Sequence, residues 1–173
     1  METTPGVVIG IDPGTHRCGF GIVVRRGNRF IHIHHGVARA KTNDPLPNRL
    51  ASIADELERA MDEHRPSSMG IEQAFFHRDA QAAMMIGHAR GVAMLLAARR
   101  GIPVGEYAPA AVKRAVVGNG RAEKEQVCRM IQAILGLTEA PPLDASDALA
   151  IAICHASANA LTDRIVATTR GKR

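Results

Sequence analysis

Val7-Val8-Ile9-Gly10-Ile11-Asp12-Pro13-Gly14-Thr15 decides the fold of this chain. An unbroken apolar run bounded by a turn signal reads as a strand buried on both faces. Asp12 closes that strand, where a buried carboxylate is costly unless something cationic meets it. Pro13-Gly14 turns the chain, and Gly19 to Val24 returns as a second strand. Phe30 to Val37 alternates Ile31 and Ile33 with His32 and His34 and reads as a half-exposed third strand. After the polar connector Lys41 to Pro47, Leu50, Ile53, Ala54, Leu57 and Met61 recur at helical spacing. Met69 to Glu72 is a short central strand, followed by a polar loop from Gln73 to Asp79. Met84, Gly87, Gly91, Val92 and Leu95 then line one face of a helix, whose glycines suit close packing. Pro103 to Tyr107 is the next strand, Glu123 to Leu135 a helix, and Asp144 to about Leu161 the last long helix. The order βββ-α-β-α-β-α-α predicts an α/β fold. Its mixed central sheet has three antiparallel strands, then parallel ones, flanked by helices.

The 173 residues suffice for one domain with a real core. The expected division is a single domain over 1–162 and a basic, flexible tail over 163–173. A net charge of +5 favours anionic partners such as nucleic acid. Cys18, Cys128 and Cys154 are scattered and form no C-x-x-C pair, which argues for reduced thiols and against a zinc site. The N-terminus lacks a basic flank and apolar run, and Gly91 to Ala98 is too short to span a bilayer. A cytoplasmic protein without membrane partners is expected.

The acids carry the chemistry. Asp12 alone could be a turn former, Glu72 a surface strand end and Asp144, after Pro-Pro-Leu, a helix N-cap. Asp147 shares an apolar helix face with Ile151 and Cys154, and capping does not explain it. Gathered together, such carboxylates repel and raise one another's pKa. Divalent cations relieve that repulsion, and two of them about 4 Å apart hold a phosphate between them. Asp and Glu oxygens suit Mg²⁺ or Mn²⁺ rather than zinc. An acidic pocket in a basic chain points to a metal-dependent enzyme acting on a polyanion.

Ile9-Gly10-Ile11-Asp12-Pro13-Gly14-Thr15, Ile71-Glu72-Gln73-Ala74-Phe75 and Asp144-Ala145-Ser146-Asp147-Ala148-Leu149-Ala150 resemble the RuvC family of bacterial Holliday junction resolvases. So do Gly87-His88-Ala89-Arg90-Gly91-Val92 and the stretch from Val112 to Lys124, in the same order, from about residue 7 to 160. The resemblance implies a ribonuclease H-like fold and a homodimer gripping four-way junction DNA. Each subunit would nick one of two opposed strands, leaving 5′-phosphate and 3′-hydroxyl ends, in recombination and repair. It further implies that Asp12, Glu72, Asp144 and Asp147 form the catalytic Mg²⁺ set, with two ions per site and Mn²⁺ able to substitute. Lys113 and Lys124 would meet DNA near the scissile phosphate, with Lys124 also balancing phosphate charge in catalysis. Phe75 would stack on a base at the junction centre. Thymine-rich cleavage sites and work with the RuvA and RuvB branch-migration proteins are also implied. Asn119 and Arg121 depart from the family's Gly-x-Gly-x-Ala loop, and Arg121 would add a phosphate contact.

Phe75 and Phe76 sit together in a polar loop, so one is expected to pack inward and Phe75 to stack on an unpaired base. Lys113 and Lys124 read as phosphate contacts and Arg114 as part of a solvated basic face. Gly118-Asn119-Gly120 lacks a nucleotide-binding pattern. His32, His34 and His35 read as exposed strand residues. Three rival functions remain: a phosphotransferase of the actin-like or sugar-kinase type, whose first phosphate loop the opening motif also resembles, a catalytically silent junction-binding protein, and a nuclease of the same fold acting on RNA or another branched DNA. The first needs a second lobe and a second glycine-rich loop; the second is disfavoured by retention of all four acids.

Overall fold

The computed structural model describes residues 6–73 and 79–170, with side chains in the last helix described through 159. Five strands form one sheet in the order β3-β2-β1-β4-β5. β1 (Val7–Asp12), β2 (Arg17–Arg26) and β3 (Arg29–Arg39) pair antiparallel. β4 (Ser68–Glu72) adds parallel to β1, and β5 (Val104–Tyr107) parallel to β4. The mixed sheet expected from the sequence is therefore the observed one.

Strand alternation sorts the core into two layers. Ile9, Ile11, Phe20, Ile22, Met69 and Ile71 face one side, where α1 (Leu46–His64) and α2 (Ala80–Arg99) cover them. Val8 and Val23 face the other, under α3 (Pro109–Val117), α4 (Lys124–Leu135) and α5 (Leu143–Arg170). Asp12 and Glu72 fall on this second face, in phase with Val8 and Gly70, and their strands are neighbours. Three glycines, Gly10, Gly19 and Gly21, bring α5 down onto the sheet. A Cβ on Gly10 would collide with the Ala148 carbonyl and Ala152 amide, and one on Gly19 with the Asp144 carbonyl.

Four expectations need correction. α3 was not foreseen as a helix, although Pro109 at its first turn and Gly118 just past its end, with φ 81°, are its start and stop signals. α2 is turned opposite to the reading: it packs through Ala89, Ala93, Leu96 and Ala97, while Met84 is 58% and Leu95 51% exposed. No neighbouring atom approaches the Cβ positions of Gly87 and Gly91, so these glycines are not packing points within the described chain. In β3 the register slips at Ile33, so His32 and His35, not His32 and His34, come together at 2.8 Å. Burial lowers the pKa of both, helped by His35 and His34 at His32 and by His34 at His35. Finally, α5 begins at Leu143 and runs to Arg170 instead of ending near Leu161, which places Asp144 inside its first turn rather than at the cap. Cys18, Cys128 and Cys154 are buried free thiols. Among the described residues no helix is long and apolar enough to cross a membrane.

Candidate active site

β1 and β4 deliver Asp12 and Glu72 side by side at their carboxyl ends, and the first turns of α5 bring Asp147 over them. These three acids line one cleft of about 200 Å³ together with Lys113 and Lys124. Apolar Val112, Val127 and Ile151 form part of its wall. Asp144 does not line that cleft, yet it stands near enough for its charge to act on Asp12.

Burial, then the charges of Glu72 and Asp147, push the Asp12 carboxyl up to about 8. Lys124 opposes this only in part. Its ammonium donates to Asp147 Oδ2 at 2.7 Å, which raises the lysine's own pKa. A capping box fixes the turn from which Lys124 projects: the Glu123 amide donates to Gln126 Oε1 at 3.0 Å, with the Glu123 side chain bonding in return.

Sequence reading missed two arginines. Arg17, at the start of β2, donates from Nε to Asp144 Oδ2 at 2.5 Å. Arg90, only 10% exposed in its side chain, donates to the Glu72 carbonyl and pairs with Glu106 at 2.7 Å. It thereby ties the end of β4 to α2 and β5. Arg90 lies within a motif already singled out, but Arg17 has no sequence signal, because its partner is 127 residues away. Arg121 is exposed in the turn between α3 and α4, where its amide donates to Asn119 Oδ1. Phe75 lies outside the described residues.

The donors are all hard oxygens, and Asp12 cannot ionise fully at neutral pH without added positive charge. That chemistry fits Mg²⁺ or Mn²⁺. Among the described residues no three His, Cys, Asp or Glu side chains form a ready-made ligand group. The physical reason is on hand: Asp147 is turned to Lys124 and Asp144 to Arg17.

Residues 8–155 match the family model of the crossover junction endodeoxyribonuclease RuvC. The chain belongs to the RuvC family. A RuvC from Sorangium cellulosum is 48% identical over 151 residues, covering 87% of this chain and 84% of the relative. Another, from Desulfitobacterium hafniense, is 44% identical over 160 residues, covering 92% and 97%. The solved Thermus thermophilus RuvC in complex with Holliday junction substrate matches with a TM-score of 0.82 at 38% identity, over 87% of this chain and 93% of that one. The yeast mitochondrial Holliday junction resolvase Ydc2, at 14% identity and TM-score 0.59, shares the fold. The fold is thus the ribonuclease H-like one of RuvC and related resolvases, and the chain is a nuclease-family hydrolase.

Proposed function

We propose that this protein resolves Holliday junctions in recombination and repair by nicking two opposed strands symmetrically, leaving 5′-phosphate and 3′-hydroxyl ends. The observation that carries the reading is the cleft in which Asp12, Glu72 and Asp147 meet Lys113 and Lys124. Carboxylates alone would repel a phosphodiester. Carboxylates that hold cations, flanked by lysines, attract one.

In this reading Asp12, Glu72, Asp144 and Asp147 hold Mg²⁺, two ions per site, with Mn²⁺ as a substitute. Held there, the cations would supply Lewis acidity for the attacking water and the leaving oxygen. Asp12 gives up its proton when the site is charged, because its high pKa comes from burial and from its acidic neighbours. Lys124, already at the cleft on Asp147, moves to balance phosphate charge. Lys113 and Arg121 contact the DNA backbone, which supplies affinity without sequence preference. Phase along β1 and β4, together with the Arg90 anchor on the Glu72 carbonyl, keeps the paired acids in place. Phe75 stacks on an unpaired base.

A two-fold enzyme suits a two-fold junction, and a homodimer is supported by α2. Its outer face carries exposed Met84 and Leu95 with Gly87 and Gly91 open between them and no formal charge at those four positions. A second copy of α2 could cross closely there. We further propose a cytoplasmic protein that works with RuvA and RuvB. A phosphotransferase or a silent binder is not favoured, since the relatives are nucleases by name.

The test compares a mobile synthetic four-way junction with linear duplex of the same sequence, in Mg²⁺ and in chelator, for the parent and Asp12→Asn. Paired nicks confined to the junction, and lost with chelator or the variant, are expected. An intact junction under all conditions would sink the proposal.

A further inference from the structure

We infer that Arg17 competes with divalent cation for Asp144, and so sets how much cation the site needs. The inference rests on the metal-dependent reading above and assigns a role to a positioning residue outside the cleft. Gly19 lies so close to the Asp144 carbonyl that no side chain fits between them, which fixes the start of α5 against β2. Arg17, two residues earlier, shares the strand face of Gly19, so its side chain meets Asp144 by construction. The outcome is the 2.5 Å contact from Arg17 Nε to Asp144 Oδ2, with the arginine side chain 49% and the carboxylate 29% exposed.

Asp144 stands outside the cleft lining that the other three acids share, and this pair holds its carboxylate. A carboxylate oxygen engaged by a guanidinium is not free for a cation. Lys124 does the same to Asp147, but that lysine has phosphate to move to. Arg17 has no other partner among the contacts of the described residues, and a guanidinium remains charged at any working pH. It therefore neutralises Asp144 before loading, which limits repulsion around Asp12, and it must yield when the cation arrives. A half-exposed ion pair holds its partner by a factor of roughly two to five, and cation binding is weakened by the same factor.

The test is calorimetric titration of the DNA-free protein with Mn²⁺, cross-checked by the paramagnetic resonance signal of free Mn²⁺. Arg17→Ala should lower the half-saturating Mn²⁺ concentration about two- to five-fold, and Arg17→Lys should stay close to the parent. In an Asp144→Asn background, Arg17→Ala should change little, because the contested carboxylate charge is gone. Unchanged or weaker binding in Arg17→Ala, with the parent binding Mn²⁺ and Asp12→Asn losing it, would overturn the competition and leave the metal-dependent reading standing. A parent that binds no Mn²⁺, or an Asp12→Asn variant that binds it normally, would bring down both.

Discussion

Removing the Asp12 charge should stabilise the metal-free protein, and by an amount that grows with pH. The carboxyl has a pKa of about 8 in the fold against an ordinary 3.8. Between those values the folded protein holds a proton that the unfolded chain has lost, so stability falls as pH rises. By linkage, titration of Asp12 costs the fold on the order of 2–3 kcal/mol between pH 5.5 and 7.5. For a chain of this size that is a drop of about 5–10 °C in Tm. The histidines act in the opposite sense. Burial lowers the pKa of His155, and burial with neighbouring rings lowers those of His32 and His35, so their contribution is lost as pH falls. The informative quantity is therefore the difference between parent and Asp12→Asn, in which the histidines cancel. Thermal melts in chelator across that window should show the variant gaining on the parent by about 5–10 °C from pH 5.5 to 7.5. Saturating Mg²⁺ should raise the parent alone. If the difference in Tm stays flat with pH in chelator, burial and the neighbouring acids do not hold the Asp12 proton as the geometry requires.

Gly10→Ala should destabilise the protein by about 3 kcal/mol or more in urea unfolding, since its Cβ would strike the α5 backbone; a loss under about 1 kcal/mol would mean the helix can lift. Arg90→Ala should cost about 2 kcal/mol of stability and slow junction cleavage more than ten-fold, as the Glu72 carbonyl loses its buried donor. Cleavage at the parental rate would show that β4 holds Glu72 without help. Leu95→Glu should shift the protein from dimer to monomer in light scattering, and a persistent dimer would place the interface elsewhere than on α2. Phe75→Ala should reduce junction cleavage and alter site choice, with a stacking loss of about 1–3 kcal/mol; parental rate and site choice would end that role.

The sheet was legible because its signals are local. An unbroken apolar run, a Pro-Gly turn and a second run suffice for β1 and β2, and the period of two then phases Asp12 with Glu72. What stayed hidden depends on tertiary context. Periodicity shows that α2 is apolar, but not which side meets the sheet, and a helix apolar all round offers no phase to read. The slip at Ile33 reverses the histidine faces in a strand whose pattern gave no warning. Arg17 and Arg90 act through contacts to a distant carboxylate and to a main-chain carbonyl, and neither leaves a trace in spacing. The acids themselves were conspicuous because each sits where apolar chain is expected.

The contact of Gly10 and Gly19 with the α5 backbone bears on how this protein can drift over evolutionary time. Helix height above a sheet is usually set by side chains, and each core exchange nudges it by fractions of an ångström. Here main chain rests directly on main chain at both points. Leucine-for-isoleucine exchanges elsewhere in the core can accumulate without changing the distance between the strand acids and the helix acids. The spacing of the charges is thus insulated from the slow turnover of the interior, and its tolerance is concentrated in glycines that have no side chain to vary.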